Sequence, residues 1–174
     1  MQSAGDQRFK TMTMSHANAL FQTALRLTEN RAAAVEIVHE AYACAWKSFN
    51  GHAESSEGRV GLFKILIQQI HRRNRGWFSA PWLPEQDHTS EGCPGAPADS
   101  DTFSPEQVVS ALSRVPVVSR EIILLIDCQE FSYKEAAEIL VLSTDVVADR
   151  LIVARKQLRS ELATALSRDV AVRC

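Results

Sequence analysis

Several things the chain lacks narrow its function before any motif is considered. Four cysteines in 174 residues, Cys44, Cys93, Cys128 and Cys174, form no C-x-x-C pair, so neither a zinc knuckle nor a dense disulfide framework is indicated, and reduced thiols are expected. The longest purely aliphatic run, Ile122 to Ile126, is far too short to cross a bilayer, and the polar start from Met1 to Ser15 has no apolar stretch of signal-peptide length. The expected location is therefore cytoplasmic, without membrane insertion. There is no Gly-rich phosphate loop, no G-x-S-x-G and no paired catalytic Cys and His, which predicts a protein that is not an enzyme and has no catalytic residue, cofactor or small-molecule substrate.

Charge is what the chain distributes unevenly. The net charge of −2 conceals a basic first part (residues 1–78, 10 Lys/Arg against 6 Asp/Glu), an acidic middle (79–103, five acids and no Lys or Arg) and a near-neutral last part (104–174, 9 against 10). Separate segments with separate tasks are implied. The middle segment also holds four of the six prolines and shows no periodicity, so it reads as a flexible acidic linker. On either side the apolar residues recur with helical spacing. The expectation is an all-α protein of two helical domains, 1–78 and 104–174, joined by 79–103.

In the first domain the spacing predicts helices over Ala17 to Leu27 and Ala32 to Phe49, the second with an apolar stripe of Val38, Ala41, Tyr42, Ala45, Trp46 and Phe49. Asn50-Gly51 ends it, and a polar loop from His52 to Arg59 leads to a third helix carrying Phe63, Leu66, Ile67 and Ile70. That helix closes on Arg72, Arg73 and Arg75 followed by Trp77 and Phe78. Cations beside aromatics, with Lys64 two turns earlier, form a patch that can hold phosphates and stack on unpaired bases.

The second domain signals its helices through their caps. Ser104-Pro105 with Gln107, and Ser132 with Glu135, have the form of capping boxes, and Ser143 precedes the last helix. Helices are expected to about Val115, over Arg120 to Gln129, over Tyr133 to Leu140 and, after the turn Val141-Leu142-Ser143, to about Leu166. The last two form a helix-turn-helix, with Ala136 and Ala137 small enough for close packing and Leu142, Val147, Leu151 and Ala154 facing inward. A trihelical protein-binding module has the same spacing. The Glu36-x-x-His39 pair has the form of a helix-borne metal site, but its only counterpart, Glu85-x-x-His88, follows Pro84 in the linker, so no metal is expected.

The combined pattern resembles the bacterial RNA polymerase sigma factors of the extracytoplasmic-function (ECF) group. The resemblance rests on AlaLeuArgLeuThr at 24–28, HisGluAlaTyrAlaCysAlaTrpLys at 39–47 and LeuPheLysIleLeu at 62–66. It continues through SerArgGluIleIleLeuLeu at 119–125, GluPheSerTyrLysGluAlaAlaGluIleLeu at 130–140 and AlaArgLysGlnLeuArg at 154–159. It implies a region 2-like first domain that binds core polymerase through Glu36, His39, Glu40 and Trp46, and opens the minus-ten promoter element. There Asn50, Gly51 and His52 would lie near a flipped base, and Lys64, Arg72, Arg73, Arg75 and Trp77 would contact DNA. The region 4-like helix-turn-helix domain would read the minus-thirty-five element through Ser143, Thr144, Arg150, Arg155, Lys156 and Arg159. The implied partners are core RNA polymerase, promoter DNA and an anti-sigma factor.

Two departures from the family pattern matter. An acidic cluster on the polymerase-binding helix is reduced here to Glu36 within Ala33-Ala34-Val35-Glu36. In the second domain the usual glycine of the turn is Val141, and Asp145 and Asp149 sit early in the recognition helix, where they oppose phosphate. A sigma-like decoy or adaptor, which binds a regulatory protein without directing transcription, is the rival reading.

Overall fold

The computed structural model of the protein describes residues 4–48, 55–74 and 103–172, and these form eight α-helices with no strand among them. The linker up to residue 102, and its expected flexibility, lie outside the described residues. The first helix, α1 (Ala4–Thr13), falls in a stretch with no helical signal in the sequence analysis. It is held from outside: Phe9 meets the rings of Tyr42 and Trp46 edge-on, at 6.5 and 5.0 Å between centroids, and the Tyr42 hydroxyl donates to the Thr13 carbonyl at 2.8 Å. A short 3-10 turn (Met14–His16) leads into α2 (Ala17–Thr28), whose Leu20, Thr23, Ala24 and Leu27 are buried at three- and four-residue spacing.

Between α2 and α3 (Arg31–Ser48) the chain turns at Glu29, which adopts a left-handed conformation (φ 54°), and Asn30 caps α3 by accepting the Ala33 N–H at 3.0 Å. The buried face of α3 is Ala34, Ile37, Val38 and Ala41. Of the expected stripe, Val38 and Ala41 are buried, Tyr42 and Ala45 pack partly buried against the core, Trp46 is 43% exposed, and Phe49 lies outside the described residues; Ala34 and Ile37 extend the buried face towards the start of the helix. Helix α4 (Ser55–Arg73) takes in the last part of the expected polar loop. Its Val60, Leu62, Phe63, Leu66, Ile67 and Ile70 are all buried; so wide an apolar surface suits a helix covered on two sides, by α2 and α3 on one and by the second helical group on the other.

That second group begins with α5 (Pro105–Arg114), which starts at a complete capping box: the Ser104 hydroxyl accepts the Gln107 N–H, and the Gln107 side chain accepts the Ser104 N–H. After Pro116, α6 (Val117–Ile123) passes into a π turn over Leu124–Cys128, so the single regular helix expected over 120–129 is corrected to two helix types. Ser132 and Glu135 complete a second capping box at α7 (Tyr133–Leu140). Val141 then takes the left-handed conformation (φ 57°) and α8 (Thr144–Val172) follows, running past its expected end. Helices α7 and α8 form the helix-turn-helix, with Ala136, Ala137, Val147, Leu151 and Ala154 buried as the spacing predicts.

Candidate macromolecule-binding surfaces

On α3, Glu36, His39 and Glu40 are exposed within one turn of each other, on the side away from the buried Ile37 and Val38. The spacing follows from the helix itself, since residues three and four apart share a face. Beside them, between α1 and α3, runs an apolar groove of about 520 Å³ floored by Val38, Tyr42 and Trp46 and closed by Phe9 and Met14. Burial pushes the Tyr42 hydroxyl pKa up.

The basic end of α4 comes to the same helix. Arg73 reaches across to both acids: its guanidinium donates to Glu36 Oε2 at 2.8 Å and to Glu40 Oε1 at 2.5 Å. These bonds raise the Arg73 pKa further. One side chain expected on DNA thus joins two expected on polymerase. Arg72 is exposed at the rim of a polar cleft between α3 and α4 that also includes Cys44, Lys47 and Gln69. Lys64, higher on α4, faces α7, with its ammonium 3.8 Å from Glu138. Asn50, Gly51, His52, Arg75, Trp77 and Phe78 lie outside the described residues.

At the start of α8, Ser143 and Thr144 are exposed, and the Ser143 hydroxyl accepts the Val146 N–H at 3.4 Å as an N-cap. The four cations expected on phosphate divide. Lys156 and Arg159 are exposed. Arg155 is held in a two-bond fork by Asp127, at 3.1 and 2.5 Å. Arg150 is half-buried on the side of Glu121, and burial lowers its pKa.

Sequence reasoning missed a set of polar residues between the two helical groups. Arg120 and Glu121, only 4% and 3% exposed, interrupt the apolar run of α6. Arg120 donates to the Arg26 carbonyl at 2.8 Å, to Glu29 at 2.5 Å and to the Ser113 and Val115 carbonyls. Glu121 lies 2.5 Å from His71 Nε2 of α4. Its carboxyl pKa is raised by burial and held back by the His71 hydrogen bond, with the charges of His71 and Arg150 acting the same way. Arg59 of α4 lies over the Phe131 ring at 4.2 Å and donates to the Gln129 carbonyl. The available signal was two adjacent charges in the apolar run of an expected helix, which periodicity does not assign to a partner.

No protein-family model matches the chain. It is 28% identical over 166 residues to the RNA polymerase sigma factor NccH of Alcaligenes xylosoxydans xylosoxydans, a match covering 91% of this chain and 89% of that protein. Its fold is similar to the sigma factor RpoE of Bartonella quintana, crystallised with the anti-sigma factor NepR (TM-score 0.63, 24% identity, 90% of this chain and 98% of that one). It is also similar to CnrH, solved with the cytosolic domain of CnrY (TM-score 0.65, 24% identity, 92% of each). Among the described residues no helix is long and apolar enough to cross a membrane.

Proposed function

We infer that this chain, a sigma factor of the ECF group by its sequence and its fold, acts in the cytoplasm as a non-catalytic initiation factor that directs core RNA polymerase to a restricted set of promoters. In this reading residues 1–78 dock on the polymerase and open the minus-ten element, residues 104–174 read the minus-thirty-five element, and residues 79–103 bridge the two. The observation that carries it is the similarity to a sigma factor across nine-tenths of the chain, running through both helical groups.

Physical features support the division of labour. The exposed Glu36, His39 and Glu40 and the adjoining apolar groove offer a protein partner both charge and apolar area on one helix. The helix-turn-helix leaves Ser143, Thr144, Lys156 and Arg159 exposed on α8, where a recognition helix meets base edges and phosphates. The internal pairing of Arg155 and the inward position of Arg150 favour a phosphate footprint smaller than four cations would give.

Control by an anti-sigma protein is proposed by analogy, because both solved relatives were captured with a partner, NepR for one and the cytosolic domain of CnrY for the other. The decoy reading draws on one observation: the two acids on α3 are both engaged by Arg73. Run-off transcription on fragmented genomic DNA with purified core polymerase separates the readings. Discrete transcripts that require this protein and share an upstream motif are expected. Silence from the folded protein, together with failure to bind core polymerase, would overturn the sigma reading.

A further inference from the structure

The outer face of α8 is sorted by chemistry along its length. Val147, Leu151 and Ala154 turn inward and are buried. On the opposite side, at three- and four-residue steps, Asp145, Asp149, Ile152, Lys156 and Arg159 are exposed. The order from the start of the helix is thus acid, acid, apolar, cation, cation. Asp145 lies in the first turn, where the helix dipole favours a carboxylate. Asp149 lies in the second turn, past that influence, and none of the ion pairs among the described residues includes it. Ile152 is 69% exposed in the middle of this otherwise charged face. Burial and pairing in the free chain therefore account for neither Asp149 nor Ile152.

A helix-turn-helix lays the outer face of its second helix in the major groove, with the first turns against base edges. A carboxylate there is repelled by phosphate and accepts hydrogen bonds without donating any. The groove offers it two kinds of donor, the N4 amino group of cytosine and the N6 amino group of adenine. The adenine amino group stands beside N7, whose lone pair opposes a carboxylate, so cytosine is the better match. Any other base leaves the acid desolvated against acceptors, which makes the contact selective. The isoleucine side chain has no polar atom, and its complement in the groove is the C5 methyl group of thymine. Three residues advance about 4.5 Å along a helix, against about 3.4 Å per base pair, so residues 149 and 152 address neighbouring pairs. Lys156 and Arg159, further along, are left for phosphate.

We propose that Asp149 and Ile152 are specificity-determining residues of the helix-turn-helix: Asp149 accepts the amino group of a cytosine, and Ile152 packs on the methyl group of a thymine in a neighbouring base pair. The proposal rests on the sigma-factor reading for the identity of the DNA, the upstream promoter element. It gives the acid of the second turn a positive role in selecting the site, at the expense of general affinity for duplex DNA.

The test uses holoenzyme, made from core polymerase and the full-length chain, to select duplex fragments from a library randomised over the upstream element of a promoter mapped by run-off transcription. The wild type is expected to enrich a cytosine at one position and a thymine at a neighbouring one. Asp149→Asn should exchange the cytosine for adenine, which an amide meets through N6 and N7, at that position alone. Asp149→Ala should abolish the preference, worth about tenfold in affinity, as for one mismatched base pair. Replacing the selected thymine by deoxyuridine removes one methyl group. It should weaken wild-type binding about fourfold, the worth of one buried methyl, and leave binding by Ile152→Ala unchanged. Circular dichroism reads whether the variants keep their helix content, and the deoxyuridine fragment tests the thymine contact without any change in the protein. One motif shared by wild type and variants, a wild-type motif without the cytosine, or equal wild-type binding to thymine and deoxyuridine would overturn the proposal. Such results from a holoenzyme that forms and starts transcripts leave the sigma reading intact, whereas failure of the wild type to bind core polymerase would sink that reading itself.

Discussion

The rings of Phe63 and Phe131 lie 4.9 Å apart between centroids at an interplanar angle of 74°, an edge-to-face contact between residues 0% and 3% exposed. Each ring presents its positive edge or negative face to the other, and Arg59 adds a cation over Phe131. Phe131→Ala is expected to cost about 3 kcal/mol or more in urea unfolding, and Phe131→Leu to recover most of it. A loss under about 1 kcal/mol would mean that the ring spends its time in water rather than on Phe63.

Glu121 gives the stability a pH dependence whose sign is fixed by its burial. Its folded-state pKa lies above the ordinary 4.5, so between those two values the folded protein holds more protons than the unfolded chain, and stability falls as pH rises through that window and then levels. The groups facing it are His71 from α4 and Arg150 from α8. Glu121→Gln keeps an acceptor for His71 and removes the slope. Thermal midpoints measured from about pH 4 to 8 should show the variant above the wild type at neutral pH, with the gap closing towards acid. A variant less stable at neutral pH would show that the ion pair outweighs desolvation.

Val141 is a β-branched residue in a left-handed conformation, 71% exposed, with its N–H bonded to the Ala137 carbonyl. The side chain contributes little burial and the backbone conformation is unfavourable for it. Val141→Gly should therefore raise the stability of the helix-turn-helix by about 1 kcal/mol, read as a higher denaturation midpoint at unchanged m-value. A loss would place the backbone at 141 outside the left-handed region.

The cations of α8 should separate by salt dependence in promoter-fragment binding by holoenzyme. Lys156→Ala and Arg159→Ala are each expected to reduce the slope of log affinity against log salt by about 0.9, the signature of one phosphate contact. Arg155→Ala should reduce it less, because Asp127 already neutralises that guanidinium. Equal slopes for all three variants would mean that the Asp127 fork opens on DNA.

The helices with strong local grammar were legible in the sequence. Ser104 and Ser132 announced α5 and α7 because a capping box is written within four residues, and Ala136, Ala137, Val147 and Leu151 followed from helical spacing. Helix α1 was not legible: its contact with α3 depends on Phe9 reaching Tyr42 and Trp46, more than thirty residues away. The π turn at Leu124–Cys128 was missed because a hydrogen-bond shift within an apolar run leaves composition unchanged. For the candidate surfaces, residue type gave the inventory and could not give the pairings. Nothing local indicates that Arg73 is committed to Glu36 and Glu40 while Arg72 stays exposed.

That commitment makes α3 and α4 a charge-exchange pair. A partner that brings its own cations to Glu36 and Glu40 competes directly with the Arg73 guanidinium. As it succeeds, it returns a full positive charge to the end of α4, beside Arg72. In the proposed reading, protein docking on α3 would thus raise the anion affinity of the end of α4. By the same thermodynamic cycle, an anion that draws Arg73 away uncovers two carboxylates for the protein partner.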